Sequence, residues 1–71
     1  MSYLDQERSR RMLLVSASMA LTSLAAAGTQ VIKMREHCPP EAQDLVAAIR
    51  EDISRMMSNV EALREVALGE G

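Results

Sequence analysis

Apolar residues recur at helical spacing along two stretches of the chain, and the stretches differ in what lies opposite them. In the second, Leu45, Val46, Ile49, Ile53, Met56, Met57, Val60, Leu63 and Ala67 follow an i, i+3, i+4 rhythm. The opposite positions carry Asp44, Arg50, Glu51, Ser54, Arg55, Ser58, Glu61, Arg64 and Glu65. This pattern predicts a helix buried on one side and wet on the other. Glu51 and Arg55 stand four apart in the order that favours ion pairing along a helix. In the first stretch one stripe is apolar: Leu13, Leu14, Ala17, Ala20, Leu21, Leu24, Ala27, Gly28, Val31 and Met34. The opposite stripe is Val15, Ser16, Met19, Thr22, Ser23, Ala26, Thr29 and Gln30, with no charge among them. A helix that meets water on one side normally carries Lys, Glu or Arg there, so this neutral stripe predicts burial on both sides.

Between the stretches stands Cys38-Pro39-Pro40, the only strong break in the chain. A proline pushes the residue before it out of the helical region, so one helix must end near Glu36 or His37. Pro40 suits the first turn of the next helix, where a missing N–H costs nothing. Glu41 and Asp44 then favour the positive end of that helix, and Lys33, Arg35 and His37 the negative end of the one before. The expected organisation is one domain over residues 1–71, with a helix over about 3–36, a turn at 37–40 and a helix over about 40–68. Ser2 or Asp5 is the expected cap at the start, and Gly69 the expected stop.

Composition supports an all-α class. Aromatics are 1%, with Tyr3 alone, and there are only 3 Gly and 2 Pro in 71 residues. Sheets and barrels draw more heavily on aromatics and turn glycines. A core of this size supplies little stability by itself. Cys38 has no second cysteine to bridge, and Cys38 with His37 cannot close a zinc tetrahedron. The remaining routes are a very efficient helical core or oligomerisation. A two-helix antiparallel hairpin covers one side of its first helix, and a second copy can cover the other. The expected assembly is a homodimeric four-helix bundle with the first helix central. Ser16, Met19, Thr22, Ser23, Ala26 and Thr29 are the expected association surface, with Leu21, Leu24, Ile53, Met56, Met57 and Val60 completing the interface. Gly28 in mid-helix costs about 1 kcal/mol relative to alanine, and close packing is one reason to keep it.

Charge narrows the partners. Residues 1–40 hold five basic and three acidic side chains, and residues 41–71 three basic and seven acidic, for a net charge of −2. This is not the broad positive field that nucleic-acid binding requires. The cluster Arg8-Ser9-Arg10-Arg11 reads as a solvated helix end.

Met12 to Ile32 contains no charged residue. At about 1.5 Å per residue such a run approaches the roughly 30 Å of a bilayer core. A membrane helix over residues 12–32 is therefore the alternative reading. Ser16, Ser18, Thr22, Ser23, Thr29 and Gln30 weigh against it. Basic residues on both flanks give no orientation signal. Ala25-Ala26-Ala27 before Gly28 mimics a signal-peptide cleavage site, but Asp5 and Glu7 spoil the leader. A buried helix in a cytoplasmic protein is the expectation.

No catalytic constellation emerges, so the chain reads as a non-enzyme without metal or cofactor. His37 and Cys38 are neighbours in a turn, where side chains seldom face each other. Glu51 and Asp52 point apart on the wet side. No glycine-rich phosphate loop and no Glu-x-x-His ligand set occurs. Met56 and Met57 read as core, with an adaptable peptide groove as the less common use.

The Cys38-Pro39-Pro40-Glu41 turn, the chain length and the stripe Leu45, Ile49, Ile53, Met56, Val60, Leu63 resemble the layout of YscE-type co-chaperones of type III secretion needles. The resemblance is one of layout and implies a helical hairpin that pairs with another protein. Rop-like plasmid hairpins are similar in dimeric architecture, but no basic RNA-binding face is evident here. The expected role is a small adaptor, co-chaperone or protein inhibitor, active through a homodimer and a second protein partner.

Overall fold

Two antiparallel helices make up the structure, a computed structural model that describes residues 3–69. Helix α1 runs Tyr3–His37 and α2 runs Gln43–Gly69, with a single 3-10 turn at Pro40–Ala42 between them. No strand occurs among the described residues. The break falls where the prolines demand it. Pro39 is extended, with φ −64° and ψ 154°. The Cys38 N–H still reaches the Arg35 carbonyl at 3.4 Å, and the Ala42 N–H donates to the Pro39 carbonyl at 3.0 Å. This second bond, one residue shorter than the α pattern, makes Pro40 the start of a 3-10 turn rather than of α2 itself. Gln43 then ties the corner together. Its Nε2 donates to the Cys38 carbonyl at 3.0 Å and, alongside the Cys38 N–H, to the Arg35 carbonyl at 3.4 Å, both at the end of α1 where intrahelical donors run out. Gly69 is the last residue of α2 and has no positive φ, so it is not a left-handed stop. Ser2 lies outside the described residues, and Asp5 sits inside the first turn of α1.

The helices meet along a seam with alternating steps of three and four. On α1 it comprises Arg10, Leu14, Ala17, Leu21, Leu24, Gly28 and Val31, all buried or half-buried. On α2 it comprises Gln43, Val46, Ile53, Met57, Val60, Arg64 and Ala67. A seven-residue period of this kind is that of a coiled-coil pair, in which two positions per heptad face the partner. Among the described residues only Ala17, Val31, Val46 and Ala67 are buried, and none completely. Arg10 and Arg64 occupy seam positions, laying their stems along the contact. Arg10 pairs with Glu7 at 3.5 Å, while Nε of both arginines is buried without a hydrogen-bond partner.

Two expectations need correction here. The apolar side of α2 was expected to be wholly buried, yet Leu45 is 68% exposed and Ile49, Met56 and Leu63 lie between 41% and 48%. The reason is width. One facing helix covers two positions per turn pair, and these four residues sit beside that line. Met34 is exposed on α1 for the same reason. Second, Arg55 pairs with Asp52 at 3.5 Å, three residues away, rather than with Glu51. Both partners are largely exposed, so the pair contributes little to stability.

The product is a rod of 56 × 16 × 14 Å with a radius of gyration of 16.6 Å. A compact chain of this length would have about 11 Å. The chain exposes 5618 Å², against about 4,400 Å² for a globular protein of its mass.

Gly28 does not mark a close approach within the hairpin. A methyl group added there would meet nothing within 4 Å. Gly28→Ala should therefore raise stability by up to ~1 kcal/mol, through helix propensity alone. Thermal denaturation followed by circular dichroism checks this; a fall in Tm would mean that the glycine is needed for contact. Gln43→Ala should lower stability by about 1 kcal/mol, since the Cys38 carbonyl loses its side-chain donor and the Arg35 carbonyl keeps only the Cys38 N–H. Chemical denaturation would show it as a lower midpoint with unchanged slope.

Candidate interaction surfaces

The residues expected at an interface separate into three groups once the helices are placed. Leu21, Leu24, Ile53, Met57 and Val60 are half-buried and fill the seam within the hairpin. Met19 and Ala26 lie opposite the seam on α1, about 180° away at 100° per residue, while Val15, Thr22 and Thr29 lie about 110–150° from it, toward one flank. All five are exposed, Met19 to 65%. Ser16, Ser23 and Met56 also are exposed, Ser16 and Ser23 about 110–130° from the seam toward the other flank and Met56 nearer the seam on α2.

The far side of α1 is polar only locally. Thr22 Oγ1 donates to the Ser18 carbonyl at 3.1 Å, and Thr29 Oγ1 to the Ala25 carbonyl at 3.3 Å. Bonding one turn back satisfies each hydroxyl proton inside its own helix. The surface left is neutral, with the hydroxyl protons of Thr22 and Thr29 bonded within the helix.

The two flanks of the hairpin differ in chemistry. One holds a shallow groove in which Ala25, Thr29 and Ile32 of α1 face Arg50 and Ser54 of α2. Toward the turn the same side adds Asp44, Glu51 and Arg55. This flank is mixed and charged. On the other, the helical rotation brings forward Ser16, Ala20, Ser23 and Ala27 of α1 beside Leu45, Ile49, Met56 and Leu63 of α2. No residue of that set carries a charge. Reading α2 as one undivided stripe hides this flank. The signal that separates it is the strict seven-residue recurrence of Val46, Ile53, Val60 and Ala67, with Ile49, Met56 and Leu63 offset from it.

Nowhere among the described residues do three or more His, Cys, Asp or Glu cluster closely enough to hold a metal ion. His37 is exposed at the end of α1, and Cys38 is a half-buried free thiol in the turn. Helix α1 is long and apolar enough to cross a membrane by length and composition, and only 6% of its most apolar window is buried in the hairpin. The core helix of a folded monomer would be mostly covered.

No family model matches the chain. Likewise, no curated protein and no solved structure is significantly similar to it.

The seam and the wet side respond differently to substitution. Ile53→Asp places a charge in the contact between the helices and should cost about 3 kcal/mol or more, enough to unfold so small a domain. Glu51→Ala, on an exposed side chain outside the observed ion pair, should change stability by less than about 0.5 kcal/mol. Equal melting temperatures for Ile53→Asp and wild type would show that α2 is rotated from the orientation described.

Proposed function

We propose that the protein is a non-enzymatic helical-hairpin module for protein–protein interaction, which self-associates into a four-helix bundle and acts as a small adaptor, co-chaperone or inhibitor of a second protein. The observation that carries this reading is the bareness of α1. A helix free of charge from Met12 to Ile32 has 6% of its apolar window buried by α2. Leaving that much neutral and apolar surface in water is unfavourable, and a second copy removes it at no genetic cost. The excess of roughly 1,200 Å² over a globular chain of the same mass exceeds the ~800 Å² per partner of a standard interface. Surface remains for a further protein, as the layout resemblance to secretion co-chaperones would have it.

The second reading is a single-span membrane protein with α2 as an acidic tail. It is favoured by the same length and composition of α1. Thr22 and Thr29, bonded to their own helix, fit a bilayer as well as an interface.

Expression without detergent separates the two. On the interaction reading the protein stays in the soluble fraction, is strongly helical, and elutes at about twice the 7.8 kDa of one chain by gel filtration with light scattering. Recovery in the membrane pellet alone would establish the second reading. A soluble monomer across a wide concentration range would end the self-association part and leave a heterologous partner to cover α1.

A further inference from the structure

We infer that the second copy docks on one flank of the hairpin, with the two-fold axis along the rod, so that α1 lies across the partner's α2 and both turns stand at the same end. This rests on the self-association proposed above and specifies its surface and geometry.

The flank is chosen by what both helices present there. The far side of α1 is a single-helix surface, with nothing from α2 to widen it. The flank around Ala25, Thr29 and Ile32 brings Arg50 and Ser54, and toward the turn Asp44, Glu51 and Arg55. Covering it would strip water from Arg50, Asp44 and Glu51 and from Arg55, which pairs with Asp52. The remaining flank joins Ser16, Ala20, Ser23 and Ala27 to Ile49, Met56 and Leu63, with Asp52, one heptad on from Leu45, the single charged side chain along this stretch. It is the one place where exposed large apolar residues of α2 continue into the neutral surface of α1. Its outline, at most the 56 × 16 Å of the rod, is about 900 Å², close to the ~800 Å² per partner of a stable interface.

Size and charge then decide the orientation. The grooves place Val31 level with Val46, Leu24 with Ile53, and Arg10 with Ala67. By the same register Ala27 is level with Ile49, Ala20 and Ser23 with Met56, and Ser16 with Leu63. When the axis runs along the rod, each helix meets its opposite number at equal height. Small residues of α1 then receive the partner's Ile49, Met56 and Leu63, layer by layer. With the axis across the rod, α2 would stack on the partner's α2, large on large, while α1 met α1, small on small. Net charge points the same way. Helix α1 carries five basic and three acidic side chains, and α2 three basic and five acidic. Placing α1 on the partner's α2 sets helices of opposite net charge side by side, whereas the alternative sets like on like. Thr22, Ala26 and Thr29 fall outside this interface, while Ser16, Ser23 and Met56 fall inside it.

Cys38, the only cysteine, lies in the turn and reports the geometry directly. The intact protein is spin-labelled at Cys38, and its mass is taken first by light scattering. A monomer at this point would overturn the self-association itself. For a dimer, electron double resonance should give a label separation below about 25 Å, since neighbouring helices in a bundle lie about 10 Å apart. Turns at opposite ends of a 56 Å rod would give a separation above about 40 Å and would overturn the orientation while leaving the dimer standing. The surface is tested separately by two exposed positions. Met56→Glu should raise the dimer dissociation constant at least tenfold, with helicity retained at high concentration. Val15→Glu, on the far side of α1, should leave it within about twofold. Ser23→Arg repeats the test from α1 should Met56→Glu lose helicity. Dissociation caused by Val15→Glu, or unchanged affinity in both flank variants, would overturn the choice of flank.

Discussion

The structure turns on a mismatch between what α1 has to cover and what one partner helix can cover. From Met12 to Ile32 the chain supplies no charge, so no side of this helix is built for water. A single antiparallel neighbour screens a strip two positions wide per heptad. The contact is therefore made by few residues, with Ala17 and Val31 the only buried ones on α1. Everything else about the molecule, its length, its large surface and its open flanks, is a consequence of stopping at two helices.

The turn limits what the seam can do. Pro39 and Pro40 end α1 within one residue of where steric exclusion requires, and Gln43 closes the corner by reaching back to two carbonyls. With the corner fixed, the register along the rod is fixed too, and Leu24 must meet Ile53 while Arg10 comes level with Ala67. Arginines at seam positions show how weakly the far end of the hairpin is packed. Arg10 and Arg64 offer methylene stems where a core would prefer leucine, and each leaves one nitrogen unpartnered. A helical pair of this kind gains its register from the turn and little packing from the far end of the seam.

Much of this was legible from residue order. The all-α class follows from periodicity and from the lack of aromatics, and the break follows from the rigid geometry of two prolines. The inward stripe of α1 was also legible, Met34 apart, because small and aliphatic residues recur there without interruption. These are local properties: they depend on neighbours three or four positions away, and those neighbours are set by the helix itself.

The division of α2 could be decided only in three dimensions. Leu45, Ile49, Met56 and Leu63 share a continuous helical stripe with Val46, Ile53 and Val60, and nothing local distinguishes them. Which of them is covered depends on the rotation of α2 about its own axis, set by the turn and by the seven-residue seam with α1. The same holds for Arg55, whose choice of Asp52 over Glu51 is one of side-chain reach rather than spacing. Gly28 is a third case: its position suggested a close approach, and only the placement of the second helix revealed open space above it. The sequence by itself determined where helices form and where they stop, because backbone sterics act over a few residues. Tertiary structure alone decided which apolar side chains are spent inside the hairpin and which remain on its surface, because one helix can cover only the strip it faces.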